Sequence, residues 1–191
     1  MKSIGVLALQ GAFIEHIQVL RKLNVDAFPV RLPQELQGID GLIIPGGEST
    51  AITKLMQSYN LAEAVRGLVL DGLPVFGTCA GMILLAKSAT QMNSETIGAI
   101  NIEVKRNAFG RQIDSFETDL FIPALGEEPF HAIFIRAPII TKAGLEVKIL
   151  AELEDNKSVA AIQGKVLVCA FHPELTDDLR FHRYFLESVA G

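Results

Sequence analysis

Pro74-Val75-Phe76-Gly77-Thr78-Cys79-Ala80-Gly81-Met82-Ile83-Leu84-Leu85-Ala86 joins two kinds of local structure within thirteen residues. Asp71-Gly72 reads as a turn, and the apolar run that follows from Pro74 reads as a buried strand. From Met82 the residues are helix formers, and the spacing predicts a helix that continues through Ala86-Lys87. Between the two sits a cysteine with a glycine two positions to either side. Those glycines permit a sharp, strained turn and a close approach of neighbouring backbone. A turn of that kind pushes the central side chain out over the end of a sheet, with the free N–H groups of the next helix beside the sulfur. The competing reading is an ordinary buried cysteine, a common core residue.

Working outward, the first half of the chain alternates strand and helix. Ser3 to Leu9 is a predicted strand, closed by the Gln10-Gly11 turn. Phe13, Ile17 and Leu20 then recur at helical spacing. Asp26 to Val30 is a short strand in which Pro29 marks a sheet edge. Gly41 to Pro45 is another, running into Gly46-Gly47-Glu48-Ser49-Thr50 and a helix carrying Ile52, Leu55 and Met56. Leu61 to Leu70 is a further helix. Alternation of this kind predicts a mostly parallel sheet covered on both faces. After about residue 90 the pattern changes. Segments 97–104, 117–122, 131–137, 147–153, 159–162 and 165–171 read as strands, with Gln163-Gly164 as a hairpin connection. A closing helix follows Thr176, with Asp177 and Asp178 in its first turn and Phe181, Tyr184, Phe185 and Val189 on its apolar face. No linker or repeat divides the chain, so residues 1–191 are expected to form one α/β domain with an antiparallel excursion in the second half.

The composition is that of an ordinary globular protein, 49% hydrophobic and 20% charged. A formal net charge of −5 gives no electrostatic reason to expect nucleic acid or an anionic membrane as partner. The two cysteines, Cys79 and Cys169, form neither a disulfide framework nor a metal-binding pattern. The N-terminal apolar run is too short for a signal peptide, and no run reaches the ~18 residues of a membrane span. A reducing cytoplasm is the expected location, and it suits a protein that needs a free thiol.

Val166 to Phe171 is a predicted buried strand that ends in His172-Pro173-Glu174. Proline biases the residue before it toward extended backbone, which would put residues 172 and 174 on one face. Active sites of open α/β sheets lie at the carboxyl ends of strands. If the two strands are near neighbours, Cys79, His172 and Glu174 provide a nucleophile, a base and an acid that orients the base. Alone, His-Pro-Glu reads rather as a loop with a solvated acid and a surface histidine. Cys169 falls in mid-strand and reads as core, whereas His16, His131 and His182 read as structural or surface residues. The Pro45-Gly46-Gly47 loop exposes backbone N–H groups that can hold an oxyanion, with the Ala80 amide as second donor; a plain tight turn is the alternative. Arg106 to Gln112 and Phe134 to Pro138 each place arginine where it could grip a carboxylate or simply pair with an acid such as Asp114 or Glu117.

Together, Gly77 to Gly81, Pro45 to Thr50 and Phe171 to Glu174 resemble the class I, or triad, glutamine amidotransferases. Val6 to Gly11 with Glu15-His16, Arg106 to Gln112, Phe134 to Pro138 and Phe171 to Thr176 narrow the resemblance to the glutaminase subunits of two-component pyridoxal 5′-phosphate synthases. The resemblance implies a flavodoxin-like three-layer sandwich and hydrolysis of L-glutamine to glutamate and ammonia. It implies a catalytic triad of Cys79, His172 and Glu174. Gly47, Glu48, Ser49, Arg106, Ile135 and Arg136 would bind glutamine, and the amides of Gly47 and Ala80 would form the oxyanion hole. It further implies a separate ammonia-accepting synthase subunit in a hetero-oligomer, with the Gln10-Gly11 turn expected at the contact. Pyridoxal 5′-phosphate is then the product of the complex, and neither a cofactor nor a metal is expected in this chain.

Overall fold

The computed structural model describes residues 1–92, 95–110 and 115–191. The first half alternates as the pattern predicts: β1 (Ser3–Leu7), α1 (Phe13–Lys22), β2 (Asp26–Val30), β3 (Gly41–Ile44), α2 (Ser49–Ser58), α3 (Leu61–Leu70), β4 (Val75–Thr78) and α4 (Ala80–Leu85). The second half is strand-rich: β5 (Ala86–Ala89), β6 (Ile100–Lys105), β7 (Ser115–Leu120), β8 (Phe130–Ile135), β9 (Ile139–Ala143), β10 (Lys148–Glu152), β11 (Ser158–Gln163) and β12 (Val166–Cys169). A short α5 (Arg180–Tyr184) runs on into a π-helical turn, Phe185–Val189. Among the described residues no helix is long and apolar enough to cross a membrane.

One sheet carries the order β2-β1-β3-β4-β12-β11-β9-β6-β5, with β10 paired to β11. From β2 to β12 all pairs are parallel, and antiparallel pairing begins at β11. The α/β class, the parallel core and the antiparallel second half therefore stand as expected. β2, the strand with Pro29, lies at the sheet edge. β7 and β8 form a separate two-stranded sheet.

Helices cover both faces of the parallel core. Phe76 of β4 stacks on Phe181 at 5.5 Å and packs on Phe185 at 5.6 Å, with His16 of α1 edge-on to it. α1 and the C-terminal helix thus share one face. Gly77, the next residue along β4, faces the other way, toward Leu85 of α4. The apolar centre is aromatic: Phe76, Phe130, Phe134, Phe171, Phe181 and Phe185 are all fully buried.

Four local expectations need correction. The helix after Cys79 stops at Leu85, and Ala86–Ala89 pairs with β6 instead of extending it. Pairing in the sheet overrides the helix preference of Ala86-Lys87. β9 has no counterpart among the predicted strands. The hairpin between β11 and β12 turns on Gly164-Lys165, since Gln163 already pairs with Val166. Asp177 and Asp178 precede α5; Asp178 acts from outside it, accepting the Arg180 N–H at 3.0 Å.

Candidate active site

β3, β4 and β12 are adjacent parallel strands, and their carboxyl ends deliver three pieces of chain to one place. β3 ends in Gly46-Gly47, β4 in Cys79, and β12 leads through Ala170-Phe171 to His172. Cys79 has φ 48° and ψ −103°, a strained conformation for a residue with a side chain. Its N–H donates to the Cys169 carbonyl at 2.8 Å, which anchors the turn to β12. The flanking glycines are required by contact. A Cβ on Gly81 would overlap the Ile44 carbonyl, and one on Gly77 would sit 2.6 Å from Leu85 and 2.7 Å from the Gly81 backbone. The strained turn inferred from glycine spacing is present.

His172 and Glu174 are 6% and 5% exposed. His172 Nδ1 lies 2.7 Å from Glu174 Oε1. The geometry behind that contact differs from an extended strand. His172 has φ −108° and ψ 84°, and Pro173–Leu175 is a single 3₁₀ turn that folds the carboxylate back onto the ring. With Nδ1 engaged by Glu174, Nε2 is the ring nitrogen left for the Cys79 thiol. Burial works against charge on His172. Cys79 and Glu174 beside the ring favour the charged form, outweigh burial and push His172 up to about 10. Burial alone would raise the Glu174 carboxyl, but His16 and His172 more than offset that and hold it below the ordinary value.

Two further elements close the site. The His172 N–H donates to the Ile133 carbonyl at 2.8 Å, which docks β8 of the small sheet beside β12. The Cys79 sulfur then lies 3.7 Å from the Ile135 carbonyl oxygen. On the opposite side a Cβ on Gly46 would overlap the His172 ring and come 3.3 Å from the Cys79 Cβ, so the loop passes directly against both. The Gly46 N–H donates to Thr78 Oγ1 at 3.1 Å, and its carbonyl accepts from the Ala12 N–H at 3.1 Å. Gly47 follows, exposed, beside Gln10, whose Oε1 accepts the Glu48 N–H at 2.7 Å.

Glu48 caps α2 by accepting from the amides of Thr50 at 3.0 Å and Ala51 at 2.7 Å. Burial opposes its charge, but those amides keep its carboxyl below the ordinary range. Arg106 lies 3.5 Å from Glu48 and donates to the Gln91 carbonyl at 2.7 Å. Ser49 is buried in the first turn of α2. Arg136 follows Ile135 with φ 46°, a bend at the end of β8. The structure thus gathers Cys79, His172, Glu174, the Gly46-Gly47 loop and Ile135, and it joins Glu48 to Arg106. Arg111, Gln112 and Asp114 lie outside the described residues.

His16 and His131 are a structural and a surface residue, as the sequence predicts, and each has a carboxylate beside it. His131 stands on the surface between Glu117 at 2.7 Å and Asp119 at 2.9 Å. His16 is fully buried, and its Nε2 is 3.3 Å from Glu174 Oε2. A signal for it was present: residues 13, 16, 17 and 20 share one helical face, so His16 falls among the apolar positions of α1. His182, between Phe181 and Phe185, falls on the buried face of its helix in the same way.

Residues 6–191 match the SNO glutamine amidotransferase family. The chain is 59% identical to pyridoxal 5′-phosphate synthase subunit PdxT of Carboxydothermus hydrogenoformans, over 98% of this chain and 97% of that one. It is 52% identical to the subunit of the same name from Thermotoga maritima, over 98% and 99%. A crystal structure of a glutamine amidotransferase superposes with a TM-score of 0.92 at 48% identity, covering 98% of each chain.

Proposed function

The chain belongs to the SNO glutamine amidotransferase family, and we propose that it is the glutaminase subunit of a pyridoxal 5′-phosphate synthase. On this reading residues 1–191 act as one glutaminase domain. The observation that carries it is the meeting of Cys79 at a strained elbow with His172, whose Nδ1 is held 2.7 Å from a buried Glu174. A nucleophile, a base and an orienting acid in that order are the set needed for acyl transfer from an amide.

Cys79 Sγ passes its proton to His172 Nε2 and attacks the side-chain carbonyl carbon of L-glutamine, and the carbonyl oxygen takes up negative charge. The amides of Gly47 and Ala80 donate to that oxyanion, each worth roughly 10²–10³ in rate. The tetrahedral species collapses, the C–N bond breaks, and His172 passes a proton from Nε2 to the departing ammonia. The γ-glutamyl thioester that remains is attacked by water, which His172 deprotonates. Glutamate leaves, and the proton stays on the imidazole. Glu174 accepts the Nδ1–H throughout and keeps Nε2 aimed at the sulfur. Gly47, Glu48, Ser49, Arg106, Ile135 and Arg136 bind the glutamine, with an arginine suited to its α-carboxylate. The ammonia passes to a separate synthase subunit, and the exposed Gln10-Gly11 turn, which braces the Gly46-Gly47-Glu48 loop, lies at that contact.

Ammonia release from L-glutamine, measured with and without the synthase subunit, tests the proposal. Turnover that rises on adding the synthase and vanishes in Cys79→Ala is expected. Turnover confined to γ-glutamyl peptides, or indifferent to the synthase, would overturn it.

A further inference from the structure

Behind His172 the core holds polar groups that the chemistry above does not use. Thr78, His16 and His182 are each 0% exposed. Glu174 Oε1 faces His172, whereas Oε2 makes no hydrogen bond among the described residues. The polar atom facing Oε2 is His16 Nε2, at 3.3 Å. The same nitrogen is 3.2 Å from Thr78 Oγ1, the atom that accepts the Gly46 N–H. On its other side His16 Nδ1 is 2.9 Å from His182 Nε2, and His182 Nδ1 is buried without a partner.

The charge at one end sets the proton positions along this chain. A carboxylate can only accept. With its proton on Nε2, His16 donates to Thr78 Oγ1, and the partial positive charge on that N–H lies beside Glu174 Oε2, 3.3 Å from the ring nitrogen. Burial drives the His16 pKa down against the pull of Glu174, so the ring is neutral and Nδ1 carries a lone pair. That lone pair accepts from His182 Nε2–H. Burial, aided by His16, also keeps His182 neutral, which leaves a bare lone pair at Nδ1, the atom found without a partner. The opposite tautomers would aim a lone pair at a carboxylate and bury an N–H with no acceptor, a worse outcome on both counts.

We infer that His16 is a positioning residue for the reaction: its Nε2–H steadies the outer oxygen of Glu174 and, through Thr78, the Gly46 end of the oxyanion loop, while His182 fixes its tautomer. One imidazole thereby links the aim of the base to the placement of the Gly46-Gly47 loop. Without it the Glu174 carboxylate loses the dipole on Oε2 and can turn about its last torsion, away from His172 Nδ1. The kinetic side of this inference rests on the glutaminase reading; the thiol side does not.

The test compares His16→Phe, which keeps a ring but removes both nitrogens, with His16→Gln, which retains a terminal N–H donor. Two rates are measured on the full chain, with folding checked by near-UV circular dichroism. The first is alkylation of Cys79 by iodoacetamide at pH 7, followed by mass spectrometry. The second is synthase-stimulated ammonia release from L-glutamine. His16→Phe is expected to slow alkylation and kcat by about three- to ten-fold, the size of one neutral hydrogen bond, with KM changed less than about two-fold. His16→Gln is expected to recover most of the loss. Wild-type rates in folded His16→Phe, or no recovery in folded His16→Gln, would overturn the inference. Should His16→Phe fail to fold, the near-isosteric Thr78→Val takes its place. It is expected to lose about three- to ten-fold in both rates with rescue by Thr78→Ser, and wild-type rates in Thr78→Val would overturn the inference. A wild-type chain that releases no ammonia, with His16→Phe still slowing alkylation, removes the glutaminase reading and leaves the positioning role standing.

Discussion

At Cys79 the backbone does the holding: φ is 48°, and Gly77 and Gly81 let neighbouring chain close in on either side. At His172 the backbone is unstrained, with φ −108°, and side chains do the holding. Glu174, His16, His182 and Thr78 form a buried polar chain that backs the ring. One arm of the site stores conformational strain, and the other stores desolvated charge. Strain in a turn is answered by local sterics, so that arm should fail through the fold. Desolvated charge is answered by partners brought from distant parts of the sequence, so that arm should fail through proton placement.

The largest expected effect removes what the two arms share. Cys79→Ala should lower synthase-stimulated glutaminase activity by at least ~10⁴, because members of a catalytic unit do not contribute additively. Circular dichroism should show the fold intact, and substantial residual turnover would refute the mechanism.

Glu174→Gln strikes the side-chain arm. It keeps the shape of the carboxylate but removes its charge, and kcat should fall by roughly 10²–10⁴, as expected when a base loses its orienting acid. Gly81→Ala strikes the backbone arm instead. It should cost about 3 kcal/mol of stability, read as a lower urea midpoint with unchanged m. Should Glu174→Gln prove the more unfolded of the two, the contrast between the arms would collapse.

The polar arm also predicts a pH dependence of stability. His16 and His182 are held neutral in the folded state, their pKa values lowered. Below pH 6.5 the unfolded chain binds protons that these rings refuse, so stability falls as pH falls. Glu174, lowered from its ordinary 4.5, adds a further loss as pH drops through its folded value. His172 acts in the opposite sense. Raised to about 10, it contributes fully below 6.5 and loses that contribution as pH rises through about 10. Urea midpoints should therefore peak near pH 6.5, with slopes of at most ~1.4 kcal/mol per pH unit for each group. His172→Asn should flatten the profile between pH 6.5 and 9.0, above which the buried Cys169 thiol still resists ionisation, and leave the acid side sloping; a flat wild-type profile on both sides would remove this account.

Cys169→Ser should have the smallest effect. Its sulfur is fully buried and donates to the Phe171 carbonyl at 3.3 Å, so a hydroxyl there costs roughly 1 kcal/mol and leaves turnover unchanged. Lost turnover at full stability would mean that the second thiol belongs to the chemistry.

The same contrast explains what could be read from the sequence. The elbow is written in five consecutive residues, and its glycines announce the strain directly. His172-Pro173-Glu174 is equally local. The support for Glu174 is not: His16 and His182 meet across 166 positions. Only the fold reveals that the apolar faces of α1 and the last helix press together there. The strand β5 was hidden for a related reason. Ala86-Lys87 favours helix by itself, and only pairing with Ile100–Lys105 makes it a strand. The Pro173–Leu175 turn brought residues 172 and 174 together by a route that strand periodicity does not describe.

The placement of β4 beside β12 has a consequence for the order of synthesis. His172 follows Cys79 by 93 residues, which a ribosome adds in roughly 5–20 s. During that interval the nascent chain carries Cys79 without His172. It also lacks the Cys169 carbonyl that receives the Cys79 N–H and pins the elbow. The thiol is therefore made early and joined by its imidazole late: the strand that completes the centre of the sheet is also the one that leads to His172.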